Sequence, residues 1–463
     1  MRTRREIICL LAAIGASPAL ALSLEPGIQE REPWGKFRRG RDYSRFVEAV
    51  RRMKAKPDAT SPDSWAFWGD VHMHHCPHGA PYFLAWHRGF LHLFEERLRK
   101  VSGSSTLRVP YWDYFADPQI PPELTAGNSA TNPLFEARHG SSVGEALGYA
   151  AFAKDVKGFA RGESSDCFEA KVEAFHNNIH NLVGGRMATM LSPRDVVFWI
   201  HHANIDRLWT AWAAAGEGRA MPQADSSYWS GQLDYADALS LPRSKALSGE
   251  GLGYRYDNIR LPAPEDMVGT GMRVRAPNVG APARGAPTAA PPPPPPPVEA
   301  APPMAMAPAP AAPAPIPYRG LWLGGEDYMA YMPLANRGDV PIATEATLPD
   351  DIVIVLDAVS LTSSGADGGY FYKLYLDPDD DGGRTRSDDC LLGTIGPFQI
   401  AAAMHMSYDG SVRLSLPVGD VIRRIAPGRA LDRLGVAFVR IDANGPPGGN
   451  VISIGSVELA GRG

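Results

Sequence analysis

Apolar residues recur at helical spacing in four stretches of the first half of the chain. In residues 43–56 (YSRFVEAVRRMKAK), Phe46, Val47, Val50 and Met53 share one face, the pattern of an amphipathic helix packed on a core. In residues 83–101, Leu84, His87, Leu91, Phe94 and Leu98 form one stripe. His92 falls about 140° round that helix from His87, so it is expected at the surface or behind the stripe. The third and fourth stretches cover 168–180 and 195–212, separated by the turn formers Gly184-Gly185 and Ser192-Pro193. A mainly α, four-helix-bundle domain is predicted.

After Tyr256 the pattern changes. Residues 277–317 are rich in proline and alanine, with prolines at every position from Pro291 to Pro297. Such a tract cannot build a core and predicts an extended, semi-rigid linker. Beyond it, DIVIVLDAV, YFYKLYL, VRLSLPV, LGVAFVRI and VISIGSVEL alternate with turns, which predicts an antiparallel β-sandwich. The chain is therefore expected to be multidomain, with a helical domain over 22–276, the linker over 277–317 and the sandwich over 318–463.

Residues 1–21 read as an export signal. Basic residues precede an apolar run from Ile7, and Ala19-Leu20-Ala21 offers a small-x-small cleavage site. Thr3-Arg4-Arg5-Glu6-Ile7-Ile8 also resembles a twin-arginine signal; the alternative is an ordinary secretory leader that contains two arginines. A periplasmic or secreted protein is expected, and the apolar run is too short for a membrane span. With 44% hydrophobic and 21% charged residues and a net charge of −5, the chain reads as soluble and globular. Its charge gives no reason to expect nucleic acid or an anionic membrane as partner, and a small, neutral or weakly polar substrate fits better. In DPDDDGGRTRSD, Asp377 to Asp388, the opening resembles a calcium loop, but Asp388 stands where glutamate is expected. An acidic hairpin loop is the simpler reading.

Histidine changes the picture most. Eleven of the twelve lie between His72 and His202. His176 and His180, four apart on a predicted helix, form a two-point metal grip. If the following helix packs antiparallel, His202 becomes a third nitrogen ligand, with Phe198 and Asp206 four residues to either side on its face. A bare HxxxH equally suits a structural zinc site or core histidines. The segment from Asp70 to Leu98, however, holds a second histidine set, and imidazole-only ligation without carboxylates favours copper over hydrolytic zinc.

The combination FLAWHRGFLHLFEERL, VPYWDYF, HNNIH and SPRDVVFWIHHANIDRLW resembles the type-3 copper family of tyrosinases, catechol oxidases and haemocyanins, over about residues 43–256. The resemblance implies two copper ions, the first held by His72, His78 and His87 and the second by His176, His180 and His202. His74 and His75 are rivals for the first position; His72 is preferred because it precedes Cys76 as HxxxC, as in plant enzymes. Cys76, two before His78, resembles the Cys-x-His of fungal tyrosinases, where a thioether joins the two; a free buried cysteine is the alternative. Once the leader is removed, and if Cys76 enters the thioether, Cys167 and Cys390 remain as a candidate disulfide. The family usually has Asp-Pro where this chain has Asp195-Val196. Glu169 and Glu173 stand where the family can keep a carboxylate that orders an active-site water, and Asn177 resembles the tyrosinase asparagine that helps hold that water. Asp206, Asn204 and Asp113 are candidates for orienting ligand imidazoles, with a helix cap or an ion pair with Arg207 the other options.

The implied function is oxidation of o-diphenols to o-quinones by dioxygen. The alternatives are a full tyrosinase, a monooxygenase that also hydroxylates monophenols, and a haemocyanin-like carrier. An export signal, a single copper domain and the lack of repeats argue against the carrier. The C-terminal half resembles the domain that covers the active-site mouth of latent plant polyphenol oxidases. In that role Phe398, Met404 or His405 would fill the substrate position.

Overall fold

The computed structural model describes residues 27–162, 166–263, 318–333, 352–377, 387–407, 412–425 and 433–461. The leader, the proline-rich linker and most of the acidic Asp377 to Asp388 loop lie outside the described residues.

Five long helices occupy the first half: α1 (Tyr43–Ala55), α2 (Trp65–His75), α3 (Phe83–Ser102), α4 (Phe168–Val183) and α5 (Val196–Ala214). The periodicity located α1, α3, α4 and α5. It missed α2, whose apolar residues lie all round and whose last turn is His-rich; the Ser64 hydroxyl starts it by accepting from the Ala66 N–H at 3.3 Å. The histidines sit among α2, α3, α4 and α5. α1 instead buries Phe46, Ala49, Val50 and Met53 in the same hydrophobic core.

Helix boundaries aim the histidines. Tyr82, just before α3, has φ 74°, a left-handed conformation that costs a non-glycine residue energy; the chain turns sharply there between His78 and His87. Gly184, φ 69°, ends α4. Asp195 caps α5 by accepting from the Val197 N–H at 2.8 Å, so valine in place of the family's proline leaves the helix start intact.

Of four short strands in this half, β1 (Gln29–Arg31), β2 (Gln232–Ala236), β3 (Leu239–Pro242) and β4 (Tyr254–Tyr256), β2 pairs with β3 and β1 pairs in parallel with β4, which carries Arg31 into the core. Fully buried, Arg31 binds Glu95 at 3.1 Å and Asp206 at 3.2 Å. Asp206 also accepts from Arg88 at 2.6 Å and from the hydroxyls of Tyr254 and Tyr256, each at 2.6 Å. Asp206 is thus an ion-pair hub rather than an orienter of imidazoles. Asn204 and Asp113 likewise bind Arg207, at 2.7 and 3.1 Å, one of the other options raised by the sequence.

The C-terminal half is a sandwich of two four-stranded antiparallel sheets. Its strands are β5 (Tyr318–Leu323), β6 (Tyr328–Pro333), β7 (Ile352–Leu361), β8 (Tyr370–Asp377), β9 (Leu391–Ile395), β10 (Val412–Pro417), β11 (Arg433–Asp442) and β12 (Ile452–Gly461). The sheet orders are β10-β7-β12-β5 and β6-β11-β8-β9. A separate core that includes Leu321, Ile354, Leu356, Tyr372, Leu374 and Val436 fills it. A helix the strand pattern did not show, α6 (Pro397–Met406), follows β9 and rests on α4.

The two halves dock closely. Asn181 of α4 caps α6: its Oδ1 accepts from the Phe398 N–H at 2.8 Å and its Nδ2 donates to Gln399 Oε1 at 2.8 Å. Its backbone carbonyl accepts from the Gly369 N–H at 2.8 Å. A Cβ on Gly396 would come within 2.3 Å of the Asn181 amide, and one on Gly368 within 2.6 Å of Ala188. The approach therefore requires glycine at both positions.

Asp206→Ala should leave the Arg31 and Arg88 guanidiniums buried without their shared carboxylate, at a cost of about 3–5 kcal/mol. Denaturant unfolding checks this. A loss below about 1 kcal/mol would contradict the hub.

Candidate metal centre

Two clusters of metal-capable side chains lie side by side in the helical core: His72, Cys76, His78 and His87, and His176, His180, His201 and His202. In each, the candidate donor atoms lie within 4.8 Å of one another. α2 supplies His72, the turn after it Cys76 and His78, α3 His87, α4 His176 and His180, and α5 the last two. His74 and His75, the rivals for the first position, are exposed and stand outside the clusters.

Backbone carbonyls orient the rings. His72 Nδ1 pairs with Met190 O at 2.7 Å, His87 Nδ1 with Phe83 O at 2.9 Å and His180 Nδ1 with Met187 O at 2.7 Å. Because a carbonyl only accepts, each of these Nδ1 atoms carries the proton and each Nε2 keeps its lone pair. His176 Nδ1 faces Asn177 Oδ1 at 3.1 Å. The Nε2 atoms of His72 and His180 are buried without a hydrogen-bond partner. Those of His176 and His202 are 3.1 Å apart, close to the spacing of two nitrogens that share an ion at about 2.0 Å. A cation satisfies what the protein leaves open.

Burial, opposed only partly by the carbonyls, lowers the His72 pKa to about 4 and that of His180 to about 3. It also holds His78, His87, His176 and His202 well below the ordinary range. At neutral pH all six are uncharged, the ligating form. The clusters face each other: the His87 and His202 rings stack at 4.1 Å and 11°. Phe198 packs between them, 4.2 Å from the His202 ring and 5.1 Å from His72.

Other candidates fall into distinct places. Cys76 Sγ lies 3.6 Å from His78 Nε2 and 3.5 Å from His87 Nε2. Cys167 and Cys390 are both buried and free, so the candidate disulfide is not formed. His92 is 15% exposed and faces Glu96 at 3.5 Å, outside both clusters. His201, beside His202, is absent from the ligand set that the resemblance implies but belongs to the second cluster. It is fully buried, stacks on His176 at 5.0 Å and has no hydrogen-bond partner on either nitrogen.

The mouth holds an aromatic ring. Phe398, carried by α6, stacks on His180 at 4.0 Å and meets His78 edge-on at 5.0 Å. Of Phe398, Met404 and His405, Phe398 is the one that contacts the histidine clusters. Met404 packs against the sandwich core, and His405 is exposed at the rim.

Glu169 and Glu173 are both buried and tie loops to α4. Glu169 accepts from the backbone N–H of Leu84 at 3.1 Å and of Arg161 at 2.9 Å. Glu173 accepts from Gly79 N at 2.6 Å and from the Arg161 guanidinium. Burial outweighs these donors and raises the Glu169 pKa to about 7, from an ordinary value of 4.5. A raised folded-state value makes a contribution that is full below pH 4.5 and lost as pH rises through 7. That contribution falls by about 3 kcal/mol over the window, while the buried histidines, held below their ordinary range, add stability as pH rises; metal-free Glu169→Gln should therefore gain more stability than wild type between pH 4.5 and 7. Parallel pH profiles for the two proteins would contradict this.

The common central domain of tyrosinase matches residues 45–146 and 138–215. Tyrosinases of Streptomyces glaucescens and Streptomyces antibioticus are each 34% identical over 175 residues, 29% of this chain and 63% of theirs. The chain thus spans less than two thirds of those relatives. In fold it is similar to latent apple tyrosinase, with a TM-score of 0.52 at 16% identity over 96% of this chain and 98% of that one. Among the described residues, no helix is long and apolar enough to cross a membrane. Residues 45–215 thus carry the common central domain of tyrosinase.

Proposed function

We propose that the chain is a copper-dependent phenol oxidase that converts o-diphenols to o-quinones with dioxygen. The family uses a dinuclear copper centre. In this reading His72, His78 and His87 hold one copper, and His176, His180 and His202 hold the other. The observation that carries it is the convergence of six uncharged imidazoles, three of them oriented by backbone carbonyls, in two facing clusters. The coppers supply the two-electron exchange between phenol and dioxygen. The protein orients the ligands, excludes water and presents an aromatic slot at His180. An aromatic ring already fits that slot, since Phe398 stacks there at 4.0 Å.

Monophenol hydroxylation is the second reading, and Asn177 beside His176 supports it. Glu169 and Glu173, its other candidate residues, are engaged by Leu84, Gly79 and Arg161, which favours the diphenol reading. Export, inferred from the leader, would place the reaction outside the cytoplasm.

The position of Phe398 also supports a latent chain in which the C-terminal domain competes with substrate. The side-chain cap from Asn181 is worth about 1 kcal/mol, a factor of about five in the docked population. Phe398→Ala and Asn181→Ala should each raise diphenol turnover about that much or more, with copper content unchanged. Unchanged turnover in both variants would remove the latency reading.

Oxygen uptake with a catechol tests the oxidase itself. His87→Ala and His202→Ala should abolish uptake, while His92→Ala keeps it within a few-fold. Equal losses at all three positions would overturn the ligand assignment, and oxygen binding without turnover would favour a carrier.

A further inference from the structure

Where the domains meet at the rim of the copper cleft, two helices end against each other with similar side chains. α2 closes on Met73-His74-His75 and α6 closes on Met404-His405-Met406. The His74 and His405 rings lie 5.8 Å apart, tilted by 54°. Two imidazoles that share one ion at about 2.0 Å place their centroids roughly 5–6 Å apart. His74, His75 and His405 are exposed, and no hydrogen bond or ion pair to a protein group engages these rings among the described residues. Met406 is 68% exposed, one of four large apolar side chains left so among the described residues. Core packing therefore does not account for its thioether.

Charge points the same way. Both triplets sit in the last turn of a helix, where the aligned peptide dipoles present partial negative charge and favour a cation. Within the described residues, no lysine, arginine, aspartate or glutamate belongs to either last turn. The donors are then imidazole nitrogens and a thioether sulfur. That mixture selects copper, and cuprous copper in particular, over the harder divalent ions.

We propose that His74 and His405, with Met406 and His75 beside them, form a third copper site that binds Cu(I) and lies outside the two buried clusters. Half of its donors come from each domain, so it is complete only when the β domain is docked. Cu(I) bound there favours the docked arrangement by linkage. The site does not depend on the oxidase reading.

The test is copper counting on the tag-free full chain, titrated anaerobically with Cu(I) against a chromophoric chelator. Wild type should hold one more Cu(I) per chain than the double variant His74→Ala/His405→Ala, with the two inner clusters filled equally in both. Met406→Leu should weaken that extra copper, and Zn(II) should not displace it. Identical stoichiometry in wild type and double variant would overturn the proposal. So would ready displacement by Zn(II), which would mark an ordinary imidazole pair. Because the difference between the two proteins carries the result, poor filling of the inner clusters would count against the dicopper assignment and leave this comparison readable.

Discussion

Uncharged imidazoles deep in an apolar core need a partner for both ring nitrogens, and this requirement shapes the helical domain. The protein supplies one side of each of three rings with a main-chain carbonyl, from Met190, Phe83 and Met187. It leaves the Nε2 side of His72 and His180 without any protein partner. An unpaired buried polar atom costs about 1–3 kcal/mol, so the arrangement is stable in proportion to what a cation returns. The same burial that makes these nitrogens costly also keeps them unprotonated. Desolvation thus prepares the site for metal.

Holding the carbonyls in place falls to structure outside the four helices. Met187 and Met190 lie in the short turns between α4 and α5, and Arg138 pins that region by donating to Asp195 at 2.6 and 2.7 Å. On the other flank, Glu169 and Glu173 fasten the loop after His78 and the start of α3 to α4. Below, the Arg31, Arg88 and Asp206 hub joins β1, α3 and α5. Such buried charges contribute less to net stability than to a unique arrangement, and removing one partner is costly.

Much of this was legible in the chain because local spacing carries it. The stripe through Leu84, His87 and Leu91 predicted which face of α3 is buried, and the four-residue step from His176 to His180 put both rings on one side of α4. The β runs marked five of the eight sandwich strands. What local spacing does not carry is long-range pairing. Asp206 looked like a partner for imidazole because it lies four residues after His202; its actual partner Arg31 is 175 positions away. The carbonyls of Met187 and Met190 have no side-chain signature at all. α6 was hidden among strands, although Gly396-Pro397 ahead of an alanine-rich run is a helix-start signal. Phe398 could be named as one of three candidates but not chosen, since the choice depends on the cap from Asn181 and on the close glycine contacts at the seam.

The central claim is that six imidazoles, three to each ion, hold two coppers in one buried space. X-ray absorption on the chain loaded with two coppers measures this directly. The account predicts about three nitrogen scatterers per copper near 2.0 Å and a copper–copper vector of about 3.5–4 Å. A sulfur scatterer near 2.3 Å at full occupancy, or the absence of any copper–copper vector, would contradict it.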